Sequence, residues 1–177
     1  MTGSSLKKGE KTLNRVPISK AGYERLRREL DHLVKSERPK AIKCIEEARG
    51  HGDLTDNAEY QTAREHQRLL EGKIKELQTM LGACQVVDYP RQMPDRVIFG
   101  ASVAVEDLKT GEHKTYELVG PYESDIKKGL VSVTSPLGKA LIGKKEGMRF
   151  QVETPGGIRE MAVVEIGIGG KGEKGSA

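Results

Sequence analysis

Gly52-Asp53-Leu54-Thr55-Asp56-Asn57-Ala58-Glu59-Tyr60 interrupts about seventy residues of otherwise continuous helical pattern near their midpoint. A helical pattern that stops at Gly50 and Gly52 and then resumes predicts two helices joined by a polar turn, with the carboxylates Asp53 and Asp56 at the tip. Carboxylates held far from any core have nothing local to stabilise. They are read as groups presented to another molecule.

The arms on either side carry matching apolar stripes. Ser19 is placed as the N-cap of the first helix, with Ile18 and Tyr23 as a hydrophobic staple. Tyr23, Leu26, Leu30 and Leu33 then repeat at helical spacing. Pro39 predicts a kink or brief break, after which Ile42, Ile45 and Ala48 resume the stripe. The second helix is expected from about Asp56 to Leu81, with Ala63, His66, Leu70, Ile74, Leu77 and Leu81 on its apolar face. This places His66 in the packing rather than at a ligand site. Two such helices pack antiparallel as a coiled coil, and about thirty residues per arm make a rod roughly 45 Å long.

Beyond the rod the pattern changes. Asp88–Asp95 holds two prolines and reads as a linker. The period then becomes two, and Val97–Phe99, Ser102–Val105, Thr115–Val119, Val131–Val133, Phe150–Val152 and Met161–Ile166 read as strands. Ser135-Pro136 opens a short helix that ends before Gly143, and Pro155-Gly156-Gly157 reads as a hairpin turn. The expected class is α+β. A flexible arm (1–16) precedes the coiled coil (17–88, tip near 53–56) and a linker (89–95). A small, mostly antiparallel domain (96–168) and a disordered tail (169–177) follow.

Composition agrees with an elongated molecule. Of 177 residues, 32% are charged and 36% hydrophobic, with no Trp and two Phe, which argues against one large core. No apolar run approaches the roughly 20 residues of a membrane span. The sequence MTGSSLKKGEKTLNR lacks the apolar segment of a signal peptide, so the expectation is a soluble, cytoplasmic protein with no membrane partner. If the chain reverses near residue 55, Cys44 and Cys84 are offset along the rod by roughly 30 Å, well beyond the about 7 Å that a disulfide spans. Both are read as unpaired packing thiols in a reducing compartment. The net charge of +4 permits a nucleic-acid partner without requiring one.

Each tip carboxylate also has an ordinary explanation. Asp56 with Glu59 matches a capping box, and Asp53 suits a solvated turn. Neither explains a pair of acids on so long a rod. Two carboxylates bind Mg²⁺ poorly by themselves, because the ion keeps its waters and takes further carboxylates or phosphates. A partner would have to complete such a site, so the protein is not expected to be an enzyme by itself.

Arg49-Gly50-His51-Gly52-Asp53-Leu54-Thr55-Asp56-Asn57-Ala58-Glu59-Tyr60 resembles the tip motif of the Gre factors, bacterial transcript-cleavage factors. The likeness continues in Arg96-Val97-Ile98-Phe99-Gly100-Ala101, Ser132-Val133-Thr134-Ser135-Pro136, Ala140-Leu141-Ile142-Gly143-Lys144 and Thr154-Pro155-Gly156-Gly157, over roughly residues 17–168. The last two segments sit closer to the GreA than to the GreB branch of that family. The resemblance implies a coiled coil followed by an FKBP-like domain, acting as a monomer. It implies insertion of the coiled coil into the secondary channel of RNA polymerase while the C-terminal domain docks at the rim. It assigns Asp53 and Asp56 to a Mg²⁺ shared with the polymerase, which then cleaves backtracked RNA. It also implies that Arg49, Asn57, Arg64 and Arg68 contact the RNA 3′ segment or the polymerase, and within the docking domain the segment around Ser135 and Pro136 is read as the docking site. The family usually carries Glu where this chain has Asp56, one methylene shorter.

Three other functions fit parts of the sequence. A factor of the same shape that occupies the channel and inhibits would share the rod and an acidic tip. A prolyl isomerase is poorly served by Phe99, Phe150, Tyr89, Tyr116 and Tyr122 with no Trp, since that kind of pocket is lined with aromatics. A plain coiled-coil adaptor leaves the acids unexplained. Read alone, Arg64 and Arg68 with Glu65 and Glu71 make an ordinary charged face.

Overall fold

The structure is a computed structural model, and it describes residues 15–50 and 58–170. Helix α1 (Lys20–His32) starts where the Ser19 hydroxyl accepts the Gly22 N–H at 3.0 Å. Ile18 is buried outright, and Tyr23 packs in the same cluster with Leu26 and Leu77. Cap and staple are therefore as the sequence suggests.

Pro39 neither breaks nor ends the helix. Leu33–Glu37 form a wide π turn in which the Arg38 N–H bonds the Leu33 carbonyl five residues back. Pro39 then lies in the first turn of α2 (Arg38–Arg49), where no N–H is needed. The wide turn takes in one extra residue and so advances the stripe. Ala41 is 2% exposed and Ala48 is buried, whereas Ile42, expected on the stripe, is 42% exposed.

Helix α3 (Ala58–Ala83) returns antiparallel to the first two helices. Lys73 pairs with Glu29 at 3.7 Å, and the Arg38 guanidinium donates to both Glu71 oxygens at 2.7 and 2.6 Å. Ion pairs at a surface contribute about 0–1 kcal/mol, while full burial of an Ile or Leu contributes about 1.5–3 kcal/mol. Leu70, Ile74 and Leu77 thus hold the hairpin together, and the charged pairs set its register. His66 is exposed, a correction to its expected packing role, because the stripe passes through half-buried Gln67 instead. Cys44 is likewise exposed, and Cys84 half-buried; both are free thiols.

The hairpin brings its two ends together, which creates a sheet the sequence does not announce. Strand β1 (Val16–Ile18) pairs in parallel with β2 (Cys84–Val86), Val16 opposite Cys84. Three residues per strand are too few for a legible period of two. Residue 16, expected in the arm, belongs to this strand.

The C-terminal sheet contains β3 (Ala101–Asp107), β4 (His113–Val119), β5 (Leu130–Ser132), β6 (Arg149–Thr154) and β7 (Gly157–Ile168). Their order is β5-β4-β3-β7-β6, antiparallel except where β4 meets β5. Residues 101, 103, 105 and 107 of β3 are buried, so one face of the sheet carries the core with Leu118, Phe150, Val163 and Ile166. Helix α4 (Pro136–Leu141), capped by Ser135, lays Leu141 and Leu137 on that core. Gly138 faces the Ser132 carbonyl so closely that a Cβ would collide with it. Pro155-Gly156 joins β6 to β7, with Thr154 opposite Gly157.

Val97–Phe99 is not a strand. Val97 exchanges hydrogen bonds with Lys144 and Gly143 (both 2.8 Å) and is completely buried, and Gly100 at φ +77° turns the chain at once. Val97 alone of the run plugs the core, while Ile98 is exposed. At the other end, Gly169 donates to the Gly100 carbonyl at 2.8 Å and Gly170 to Glu117 at 2.9 Å, so the expected disordered tail begins as ordered chain. Residues 1–14 and 171–177 lie outside the described residues. No helix among the described residues is long and apolar enough to cross a membrane.

Asp107 closes the β3–β4 connection. Its carboxylate accepts the Lys109 and Thr110 N–H groups at 3.0 and 3.3 Å and meets Arg159 at 3.3 Å, and these donors, the backbone first, hold its pKa below the ordinary carboxylate range. A carboxyl with a lowered folded pKa contributes stability that is complete above its unfolded value of about 3.9 and is lost as pH falls through the folded value. The melting temperature is expected to drop more steeply below about pH 4 for the parent than for Asp107→Asn. Parallel pH profiles for the two proteins would refute this contribution.

Candidate functional site

The acids that opened the sequence reading, Asp53 and Asp56, lie with Asn57 outside the described residues. What the structure describes is their frame: α2 ends at Arg49 and Gly50, and α3 is described from Ala58. Near that end of the rod, Cys44, Ala48, Ala58, Thr62, Ala63 and His66 line an open hollow of about 580 Å³ between the helices. Thr62 donates to the Ala58 carbonyl at 2.9 Å and so turns its hydroxyl inward to its own helix. Among the described residues no group of three or more His, Cys, Asp or Glu is placed to hold a metal ion.

Arg64 and Arg68 share one face of α3, and with Gln61, Glu65, Gln67 and Glu71 they line a polar hollow of about 450 Å³. Arg49 is not part of it. The Arg64 guanidinium lies 5.8 Å from the centre of the Tyr60 ring. Arg68 is clasped by both oxygens of Glu65 at 2.9 and 2.7 Å, which raises its already high pKa and holds the Glu65 carboxyl below its ordinary value. Glu71 serves Arg38 across the hairpin instead. Arg64 thus lies against a ring, whereas Arg68 is held by a carboxylate on its own helix.

Ser135 and Pro136 stand at a larger opening in the C-terminal domain. Ser135 has work of its own, since its hydroxyl donates to the Ser132 carbonyl at 2.7 Å and accepts the Gly138 N–H at 3.1 Å. Both residues line an open groove of about 720 Å³ between α4 and the sheet. Its wall is apolar, with Tyr116, Ile126, Leu130, Leu137, Val152 and Met161, and Asp107, Glu112, Lys114, Glu153 and Arg159 bring charge into the lining. Ile126 is 65% exposed there. Sequence reading missed Ile126, although a single Ile between Asp125 and two lysines in a turn is a visible signal. It also missed the Arg38–Glu71 clasp, whose partners are 33 residues apart.

Sequence comparisons match most of the chain, in both halves. The family described as "Transcription elongation factor, N-terminal" matches residues 16–86, and "Transcription elongation factor, GreA/GreB, C-term" matches residues 92–168. Transcription elongation factor GreA of Syntrophobacter fumaroxidans is 53% identical over 152 residues, covering 86% of this chain and 97% of that protein. GreA of Methylococcus capsulatus is 49% identical over 155 residues, covering 87% and 98%. The crystal structure of GreA factor homolog 1 of Thermus thermophilus is 30% identical and covers 86% of this chain and 98% of its own, with a TM-score of 0.38. With both halves matched in order and about half of the residues shared with curated relatives, the chain belongs to the GreA/GreB family of transcription elongation factors.

Proposed function

We propose that this protein binds bacterial RNA polymerase, inserts its coiled coil into the secondary channel, and stimulates cleavage of backtracked RNA by the polymerase. The observation that carries this reading is the agreement of both domains with GreA proteins at 53% identity over 152 residues. It is supported by the separation of parts along the molecule, with Asp53 and Asp56 falling in sequence between the two arms of a helical hairpin and an apolar groove in the other domain.

In this reading Asp53 and Asp56 supply hard carboxylate oxygens, which suit Mg²⁺ in kind but fall short of it in number. The polymerase and the RNA phosphates complete the set. A Mg²⁺ held there would activate a water and neutralise charge on the leaving oxygen. Arg49, Asn57 and Arg64 steady the RNA 3′ segment or the polymerase wall, by contacts that position a phosphate backbone without reading sequence. The groove beside Ser135 and Pro136 takes an apolar segment of the polymerase surface.

The test is a stalled, backtracked complex of the cognate polymerase with and without the protein. The expected result is shortened RNA that can then be extended. A block to cleavage or extension would overturn the proposal in favour of the inhibitory reading.

A further inference from the structure

Glu123 is a carboxylate, 9% exposed, at the meeting of the two domains. It ends a 3₁₀ turn of the C-terminal domain, Pro121–Glu123, yet it bonds the helical domain. One oxygen accepts the Ser19 N–H at 2.8 Å and the Gly120 N–H at 3.4 Å, and the other accepts the Ser19 hydroxyl. Burying a carboxylate is costly unless its oxygens are satisfied, and here both are. The chain on both sides is cut to fit. A Cβ at Gly22 would overlap the carboxylate, and one at Gly120 would overlap the Pro17 carbonyl. Beside it Tyr122 packs among Ile18, Leu26 and Leu77, and its carbonyl accepts from Arg25 at 3.3 Å.

Helix α1 has a local cap of its own. Ser19 already caps Gly22, and any acidic residue in the first turn would satisfy the helix dipole, yet that turn has none. A charge brought from 104 residues away does something a local one cannot, which is to tie the helix direction to the other domain. The rod amplifies slack at this joint. An angular play of about 5° moves a point about 45 Å away by roughly 4 Å, and displacements near 1 Å already cost on the order of a hundredfold in a positioned reaction.

We propose that Glu123 is a positioning residue: by fixing α1 to the C-terminal domain it aims the far end of the hairpin, where α2 ends and α3 begins, and it sets the cleavage rate of the bound complex rather than the affinity. This rests on the function proposed above. Glu123→Ala removes the tie. Gly22→Ala opens it from the other domain while raising helix propensity, so its effect is not loss of α1. Glu123→Gln keeps it, since an amide oxygen accepts both N–H groups and the amide nitrogen donates to Ser19.

In the full chain with Cys84→Ala, spin labels at exposed Cys44 and at Ile158→Cys, 68% exposed, measure the distance between rod and C-terminal domain. The parent and Glu123→Gln are expected to give narrow distributions, and Glu123→Ala and Gly22→Ala broad ones. In unlabelled proteins the two alanine variants are expected to keep the parent's half-saturating concentration on the polymerase and to lose on the order of tenfold in plateau cleavage rate. Distributions of equal width overturn the proposal, as does a broad distribution with an unchanged plateau or a loss confined to half-saturation. A parent that stimulates no cleavage overturns the proposed function and this role with it, while the distance widths separately report whether Glu123 holds the rod.

Discussion

Asp53→Ala is expected to abolish stimulated cleavage, by at least about a hundredfold, while polymerase binding stays intact. Even the outer partners of metal ligands are worth about 10–100-fold, and a direct oxygen ligand contributes more. Stability should barely change, because the sequence around Asp53 reads as a turn and substitutions away from packed features stay within about 0.5 kcal/mol. Asp56→Ala is expected to lose activity as well, with about 1 kcal/mol of stability if the residue caps the second helix. Cleavage of one backtracked complex at saturating factor, beside a melting curve, measures both. A polymerase-bound Asp53→Ala protein that cleaves at the parent rate would remove the tip acids from the mechanism.

Ile126→Asp is expected to weaken polymerase binding by tenfold or more, about 1.4 kcal/mol, without unfolding the domain. An apolar anchor at the centre of a docking surface is where binding energy concentrates. At 65% exposure the side chain contributes little to the core, so the change isolates docking from folding. Ser135→Ala would not, because losing its cap contacts costs about 1 kcal/mol in the domain itself. In a titration of cleavage against factor concentration, the half-saturating concentration should rise and the plateau should remain. An unchanged titration would move the docking surface off the groove.

Local rules written in the chain were legible where one residue satisfies one nearby group. Ser19 capping Gly22, Ser135 capping Gly138 and the Pro155-Gly156 turn each act within three residues, and the structure has all of them. The stripe of Leu70, Ile74 and Leu77 was legible for the same reason, as periodicity is a local property. Val97–Phe99 misled because three apolar residues look alike as strand or plug, and the carbonyl and N–H that pair with Val97 come from residues 143 and 144. His66 misled because spacings of three and four both continue a stripe, and only the facing helix selects Gln67.

The sequence by itself determined the helical hairpin, the change from period 3.6 to period 2 after the linker and the family, because each is carried by residues near in the chain or by their order. Only the tertiary structure decided that Pro39 is absorbed by a π turn that puts Ala41 rather than Ile42 inside. It alone decided that residues 16–18 pair with 84–86, that an open groove forms beside Ser135, and that Glu123 reaches across to Ser19. The physical reason is common to these: each depends on a hydrogen bond or a contact whose partner is set by where a distant segment returns, and no local preference encodes that return.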